Sequence, residues 1–143
     1  LVGSRLNGAE GIEARGRELG LTDAVILPGF VANETLPVLY AAADILVFPS
    51  LFEGFGIPLL EAMASGTPVC ASDISSIPEV VGDAGLLFDP LDPAAIANAL
   101  GRILGEPALR AELVARGLAR APLFSWDIAA AAVLEELRQV AGR

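Results

Sequence analysis

The chain has 143 residues, which suits one compact domain or a large piece of one. Hydrophobic residues make up 54% and mean hydropathy is +0.61, ample material for a core. Net charge is −9, which argues against a nucleic-acid partner, whose phosphates need clustered basic groups; all nine basic residues are Arg, so a Walker P-loop, which needs its Lys, is excluded, and with no His so is any His-dependent triad or His metal site.

No apolar run approaches the length of a membrane span, and no secretory signal leads the chain. The lone Cys70 cannot form an internal disulfide or a zinc cluster, and it reads as a small core residue. One reduced Cys without a signal fits a cytosolic protein. The chain begins at Leu1 without Met, and Leu1-Val2-Gly3 reads like the tail of a strand, which suggests a piece of a longer protein.

Residues 8 to 20 read as a helix ending near Gly20. Ala24 to Leu27 reads as a short strand stopped by Pro28-Gly29. Asn33 can cap a helix from Glu34 to Ala43, with Pro37 tolerated near its start. Ile45 to Phe48 has the pattern of a strand buried on both faces, and Asp44 reads as a turn residue before it. Pro58 opens a helix through Ser65, closed by Gly66; its small residues Ala62, Ala64, Ser65 and Gly66 permit tight packing on a sheet, and Met63 reads as core.

Val69 to Ala71 is a further strand, and Ser76 to Val81 one or two helical turns. Gly85 to Phe88 is a strand, followed by the Asp89-Pro90 turn. Asp92 caps a helix to about Leu104, and another spans about Pro107 to Arg120. Ser125 caps the last, Trp126 to Val140, with Asp127 near its positive end. The charges between 102 and 120 read as solvated helix faces, and Tyr40 and Trp126 as packing aromatics. This alternation implies an α/β fold, a Rossmann-like parallel sheet with helices on both faces. Ligands of such sheets bind at the carboxyl ends of strands, where the loops Pro28-Gly-Phe30 and Pro49 to Ile57 follow consecutive strands. Asp73, Ser75 and Glu79 lie close to the same edge.

The stretch Glu53-Gly-Phe-Gly-Ile-Pro-Leu-Leu-Glu61 is the most informative part of the chain. Gly54 and Gly56 let the backbone approach a ligand. Pro58 at a helix start implies free N–H groups nearby, on residues such as Ile57 and Leu59, and with the helix dipole these favour phosphate. Glu53 and Glu61 can accept hydrogen bonds from vicinal hydroxyls, such as those of a ribose. From spacing alone, a helix start with two solvated acids serves equally well. The stretch does not fit a dinucleotide fingerprint, because Leu59 stands where the third glycine would be.

The run Pro49-Ser-Leu-Phe-Glu-Gly-Phe-Gly-Ile-Pro-Leu-Leu-Glu-Ala-Met-Ala-Ser-Gly-Thr-Pro-Val69 resembles the retaining glycosyltransferases of group 1, also called family 4. The similarity continues through Ala71 to Val80, Gly82 to Gly85, Pro28 to Val31, Leu39 to Asp44 and Phe124-Ser-Trp126, and covers nearly the whole chain. The resemblance implies a GT-B fold with two Rossmann-like domains facing a cleft. Residues 1–143 would be most of the C-terminal, nucleotide-sugar-binding domain, incomplete at its N-terminus, with the N-terminal acceptor domain absent.

The implied activity is transfer of a hexosyl group from a nucleoside-diphosphate sugar to an acceptor with retention. The alternative is a non-catalytic nucleotide-sugar-binding or interaction module on the same scaffold. The resemblance assigns Glu53 to the donor sugar, as catalytic or positioning group, and Glu61 to the ribose. Gly54, Phe55, Gly56 and Ile57 would contact sugar and phosphate, and Phe30 and Val31 would lie near the nucleobase.

It implies no metal and no cofactor. The Arg and Lys that help hold the diphosphate in such enzymes precede the start of this chain, and Arg5 does not match them. The expected localisation is cytoplasmic, membrane-peripheral in the full-length protein. No nucleic-acid partner is expected. Ile128, Ala129, Ala132, Val133, Leu137 and Val140 would expose an apolar face without the first domain, so self-association of the fragment is expected.

Overall fold

A computed structural model describes residues 9–142, and the chain divides into two compact units, Leu1–Leu36 and Pro37–Arg143. Leu1-Val2-Gly3, Arg5 and the first residue of the expected 8–20 helix lie outside the described residues.

The first unit contains α1 (Ala9–Glu18). It ends in a Schellman motif: Leu21 N–H donates to the Gly16 carbonyl (2.8 Å) and Gly20 N–H to that of Arg17 (3.0 Å), with Gly20 at φ 67°. The expected strand at 24–27 does not form. Ala24 and Val25 N–H groups both donate to the Leu21 carbonyl at 3.0 Å, so they are turned away from a ladder. Residues 25–28 are irregular, although Val25 and Leu27 are half-buried while Ile26 is exposed, the alternation that suggested a strand.

Helix α2 (Leu36–Ala42) follows, and all of it but Leu36 belongs to the second unit. Helix α2 starts two residues later than expected, and Asn33 does not cap it. Residues 33–35 form turns instead, with Leu36 N–H donating to the Asn33 carbonyl. Pro37 explains the shift: at the fourth position of a helix starting at Glu34 it would have no N–H to close the first helical bond, whereas at the second position, where it lies, none is needed.

Three strands follow, β1 (Leu46–Phe48), β2 (Val69–Ser72) and β3 (Gly85–Phe88), all parallel in the order β1-β2-β3. Register pairs Val47 with Cys70 and Cys70 with Leu86. Between them run α3 (Ile57–Ala64) and α4 (Ile77–Val81); after them come α5 (Pro93–Gly105), α6 (Pro107–Arg120), a short 3-10 turn (Ala121–Leu123) and α7 (Trp126–Ala141). The expected caps form: Asp92 Oδ1 accepts from Ala94 N–H (2.8 Å) and Ser125 Oγ from Ile128 N–H (3.1 Å).

Period-two alternation along β2 divides the core in two. Val69 and Ala71 join Leu59, Met63, Ile77 and Val81 on the face covered by α3 and α4. Cys70 joins Phe88, Ala99, Ile103 and Leu113 on the face covered by α5 and α6. Helices therefore lie on both faces. Strand β2, central among the described strands, is buried throughout; β1, with one neighbour among the described strands, is only half-buried and does not match the expected full burial. Met63 and Cys70 are core residues as expected, but Ala64 is exposed. Ala62 is fully buried against the sheet, as expected, and Gly117 of α6 permits close packing on α3 as well, since a Cβ there would come within 3.2 Å of the Met63 side chain.

Candidate functional site

Parallel strands place the loops that follow β1 and β2 at one edge of the sheet. Ser72 Oγ donates to the Phe48 carbonyl (3.2 Å) and Asp73 N–H to that of Phe88 (2.8 Å), so the three strand ends are tied together. Residues 49–56 rise from this edge as a turn that returns into α3.

Serines hold that turn. Ser50 Oγ donates to Glu53 Oε1 (2.8 Å) and fixes a half-buried carboxylate. Ser75 Oγ (2.6 Å) and Ser76 Oγ (3.0 Å) both donate to the Glu53 carbonyl, and Ser76 Oγ also reaches the Phe55 carbonyl (3.3 Å). Ser75 has φ 56°, a left-handed conformation unusual outside glycine, and its hydroxyl bond accompanies that strained backbone. With the backbone carbonyls drawn toward the 73–76 loop, the amides are left for other partners. Among the described residues, the N–H groups of Gly54, Phe55, Gly56 and Ile57 have no protein acceptor. Leu59 differs from expectation: its N–H is taken by the Gly56 carbonyl at 3.0 Å.

The two glycines of the turn do different things. Gly56 caps α3 at φ 101°, is buried, and a Cβ there would come within 3.0 Å of Leu59 Cδ1. Gly54 has nothing within 4 Å of where its Cβ would be, so its missing side chain leaves open approach to the turn. Edge-on packing of Phe55 against Phe124, with ring centroids 5.8 Å apart, anchors the turn from the other side. Arg120 lies 5.4 Å from the Phe124 centroid and donates to the carbonyls of Val80 (2.6 Å) and Glu79 (2.5 Å).

Glu61 projects from α3, exposed, and its Oε2 accepts a hydrogen bond from the Tyr40 hydroxyl at 2.9 Å. Burial first, then the bond to Glu61 and its charge, push the Tyr40 phenol up to about 12. The second unit thus carries Glu53, Gly54, Phe55, Gly56, Ile57 and Glu61 on one strand–turn–helix segment. Phe30 and Val31 belong to the first unit, where Phe30 is 78% exposed and Val31 half-buried. Among the described residues no three acidic or cysteine side chains converge as a metal site would require.

Several side chains behave differently from their expected roles. Trp126 is 82% exposed, so it is not a packing aromatic; it lines an apolar groove of about 480 Å³ with Phe55, Ile57, Leu60, Phe124 and Ile128. Tyr40 does pack on the core, but it also touches Glu61, a contact spanning 21 positions that no local pattern signals. The charges of α6 lie on solvated faces as expected, where Arg110 pairs with Asp44 (2.9 Å) and Arg116 with Asp83 (3.6 Å); the exception is half-buried Arg120, which donates to carbonyls of α4. Ser76 had no signal beyond its place after a strand.

Residues 1–106 match the family of glycosyl transferases group 1. The chain belongs to that family. Among its relatives, Escherichia coli O-antigen chain mannosyltransferase B is 52% identical over 99 residues, covering 69% of this chain and 26% of that protein. Sucrose-phosphate synthase from Thermosynechococcus elongatus superposes with a TM-score of 0.88 at 40% identity, over 99% of this chain and 38% of that one. An Anabaena HepE structure in complex with UDP and glucose superposes with a TM-score of 0.88 at 28% identity, over 97% and 40%. The three-stranded parallel sheet with flanking helices is therefore that of group 1, GT-B glycosyltransferases. This chain spans about a quarter of the curated relative's length. Among the described residues, no single helix is long and apolar enough to cross a membrane.

Proposed function

We propose that this chain is the donor-binding domain of a retaining, family 4 glycosyltransferase. The intact enzyme transfers a hexosyl group from a nucleoside-diphosphate sugar to an acceptor, using a further, N-terminal domain for the acceptor. One observation carries the reading: two carboxylates, each held by a hydroxyl of this chain, flank a glycine turn whose amides have no protein acceptor. The likeness to HepE, whose structure contains UDP and glucose, supports it.

In this reading Glu53, fixed by Ser50, faces the donor sugar. The amides from Gly54 to Ile57, at the positive end of α3, face phosphate oxygens. As the bond from the anomeric carbon to the diphosphate breaks, negative charge develops on the leaving group, and preorganised amides stabilise it without reorganising. Glu61 accepts from the ribose diol, and Phe30 and Val31 serve the nucleobase. A carboxylate beside phosphate would repel it, which is why the acids are assigned to hydroxyls. The reaction uses no metal in this reading. The protein works in the cytoplasm, peripheral to a membrane, and the 143-residue chain alone is inactive.

Replacing Glu53 and Glu61 singly by Gln in the intact protein tests this. We expect transfer to fall at least about a hundredfold for Glu53→Gln, the order of losing one transition-state contact. Nucleotide affinity should fall about tenfold for Glu61→Gln, the order of one charged hydrogen-bond acceptor. Unchanged transfer by both variants would instead assign a non-catalytic module.

A further inference from the structure

An exposed Glu has three free side-chain torsions, and freezing them on a ligand opposes binding. At Glu61 that freedom is already reduced. The Tyr40 hydroxyl donates to Oε2 at 2.9 Å, and Tyr40 is itself anchored. Its ring packs against the core cluster of Leu59, Met63 and Val69. Its carbonyl accepts from Thr67 Oγ1 (2.5 Å) and from Ala43 N–H (2.9 Å). At the other end of the same residue, Ser65 Oγ donates to the Glu61 carbonyl (2.8 Å). Tyr40 carries a single O–H, and that hydrogen is committed to Glu61.

We propose that Tyr40 is a positioning residue, which holds Glu61 Oε2 so that the rest of the carboxylate is presented to a vicinal diol of the ligand. The inference rests on the proposed ribose-binding role of Glu61. A carboxylate offers about four acceptor directions; the phenol occupies one, and a diol needs two. The phenol stays neutral, and so remains a donor, throughout the neutral range, because its burial and the adjacent Glu61 hold its proton. Tyr40→Phe keeps the ring and its packing and removes only the donor.

The test is calorimetry of the intact protein with UDP and GDP, each against its 2′-deoxy counterpart. The unsubstituted protein is expected to prefer the ribonucleotide. Tyr40→Phe should weaken the ribonucleotide about three- to tenfold, the order of one hydrogen bond, and the deoxynucleotide less than about twofold, so that the ratio contracts. Equal weakening of both would mark Tyr40 as merely structural and overturn the inference, and no change in either would do the same.

Glu61→Gln separates this from the parent reading. If Glu61→Gln abolishes the preference and Tyr40→Phe leaves it intact, only the Tyr40 inference fails. If Glu61→Gln keeps the preference, or if neither UDP nor GDP binds the unsubstituted protein, the ribose reading itself fails. Should Tyr40→Phe not fold, 3-fluorotyrosine at position 40 retains ring and hydroxyl. Its fluorine resonance is then expected to move more with the ribonucleotide than with the deoxynucleotide, and identical shifts would overturn the inference.

Discussion

Cys70 and Tyr40 have an unusual standing in a chain with one Cys, one Tyr, no His and no Lys. Apart from the terminal amine, they are the groups that titrate between the carboxylates and Arg. Burial pushes the Cys70 thiol up to about 11 from 9.0, and burial with Glu61 pushes Tyr40 up to about 12 from 10.0. Above the lower value of each pair the unfolded chain releases a proton that the folded chain keeps. The folded state then binds more protons, and stability falls as pH rises. Each contribution is complete below the unfolded value and lost by the folded one. The urea midpoint should therefore be nearly flat from about pH 6 to pH 8 and decline from about pH 9 to pH 12. Cys70→Ala should remove the lower part of the decline and Tyr40→Phe the upper. An alkaline decline unchanged in both variants would contradict this account.

At the scale of elements, Arg120 joins parts that are far apart in sequence. From the end of α6 it donates to two carbonyls at the C-terminal end of α4 and lies over Phe124, which packs on Phe55 of the turn. Gly82, at φ 55°, makes room for it, because a Cβ there would lie 2.5 Å from the guanidinium carbon. Replacing Arg120 by Met keeps the aliphatic stem and deletes both bonds. It should lower stability by about 1–2 kcal/mol, the order of losing one part-buried charge-assisted bond, to Val80, with the exposed bond to Glu79 adding little, measured by urea denaturation; a loss below about 0.5 kcal/mol would show that water replaces the guanidinium freely. The ion pairs Arg110–Asp44 and Arg116–Asp83 are exposed and contribute little by comparison.

Elements whose signals are local were legible. The caps Asp92 and Ser125, the prolines that open α5 and α6, and the glycine after α3 each act within a turn of themselves. Segment 24–27 was not, because its apolar alternation says nothing about where its amides bond, and two of them bond to Leu21.

At the scale of the molecule, α7 stands out. None of its residues is buried, and Trp126, Ile128, Val133, Leu137 and Val140 are all more than half exposed. Such a face is covered when proteins associate. The isolated 143-residue polypeptide is expected to self-associate through it. Sedimentation should show mass rising with concentration, and Val133→Glu with Leu137→Glu should return it to monomer. A single monomeric species at every concentration would refute the expectation.

The candidate site divides along the same line. Its residue types and spacing, Glu53 through Glu61 around two glycines and a proline, were written in nine consecutive positions, because a turn into a helix is a local event. So was the alternation of strands and helices in the second unit, since side-chain periodicity reports which face is buried. What holds the site was decided only in three dimensions. Ser75 and Ser76 reach Glu53 across more than twenty positions, Tyr40 reaches Glu61 across 21, and Phe124 reaches Phe55 from the far end of the chain. These contacts exist because parallel strands bring successive loops to one edge and α3 packs beside its neighbours. No spacing in the sequence encodes them.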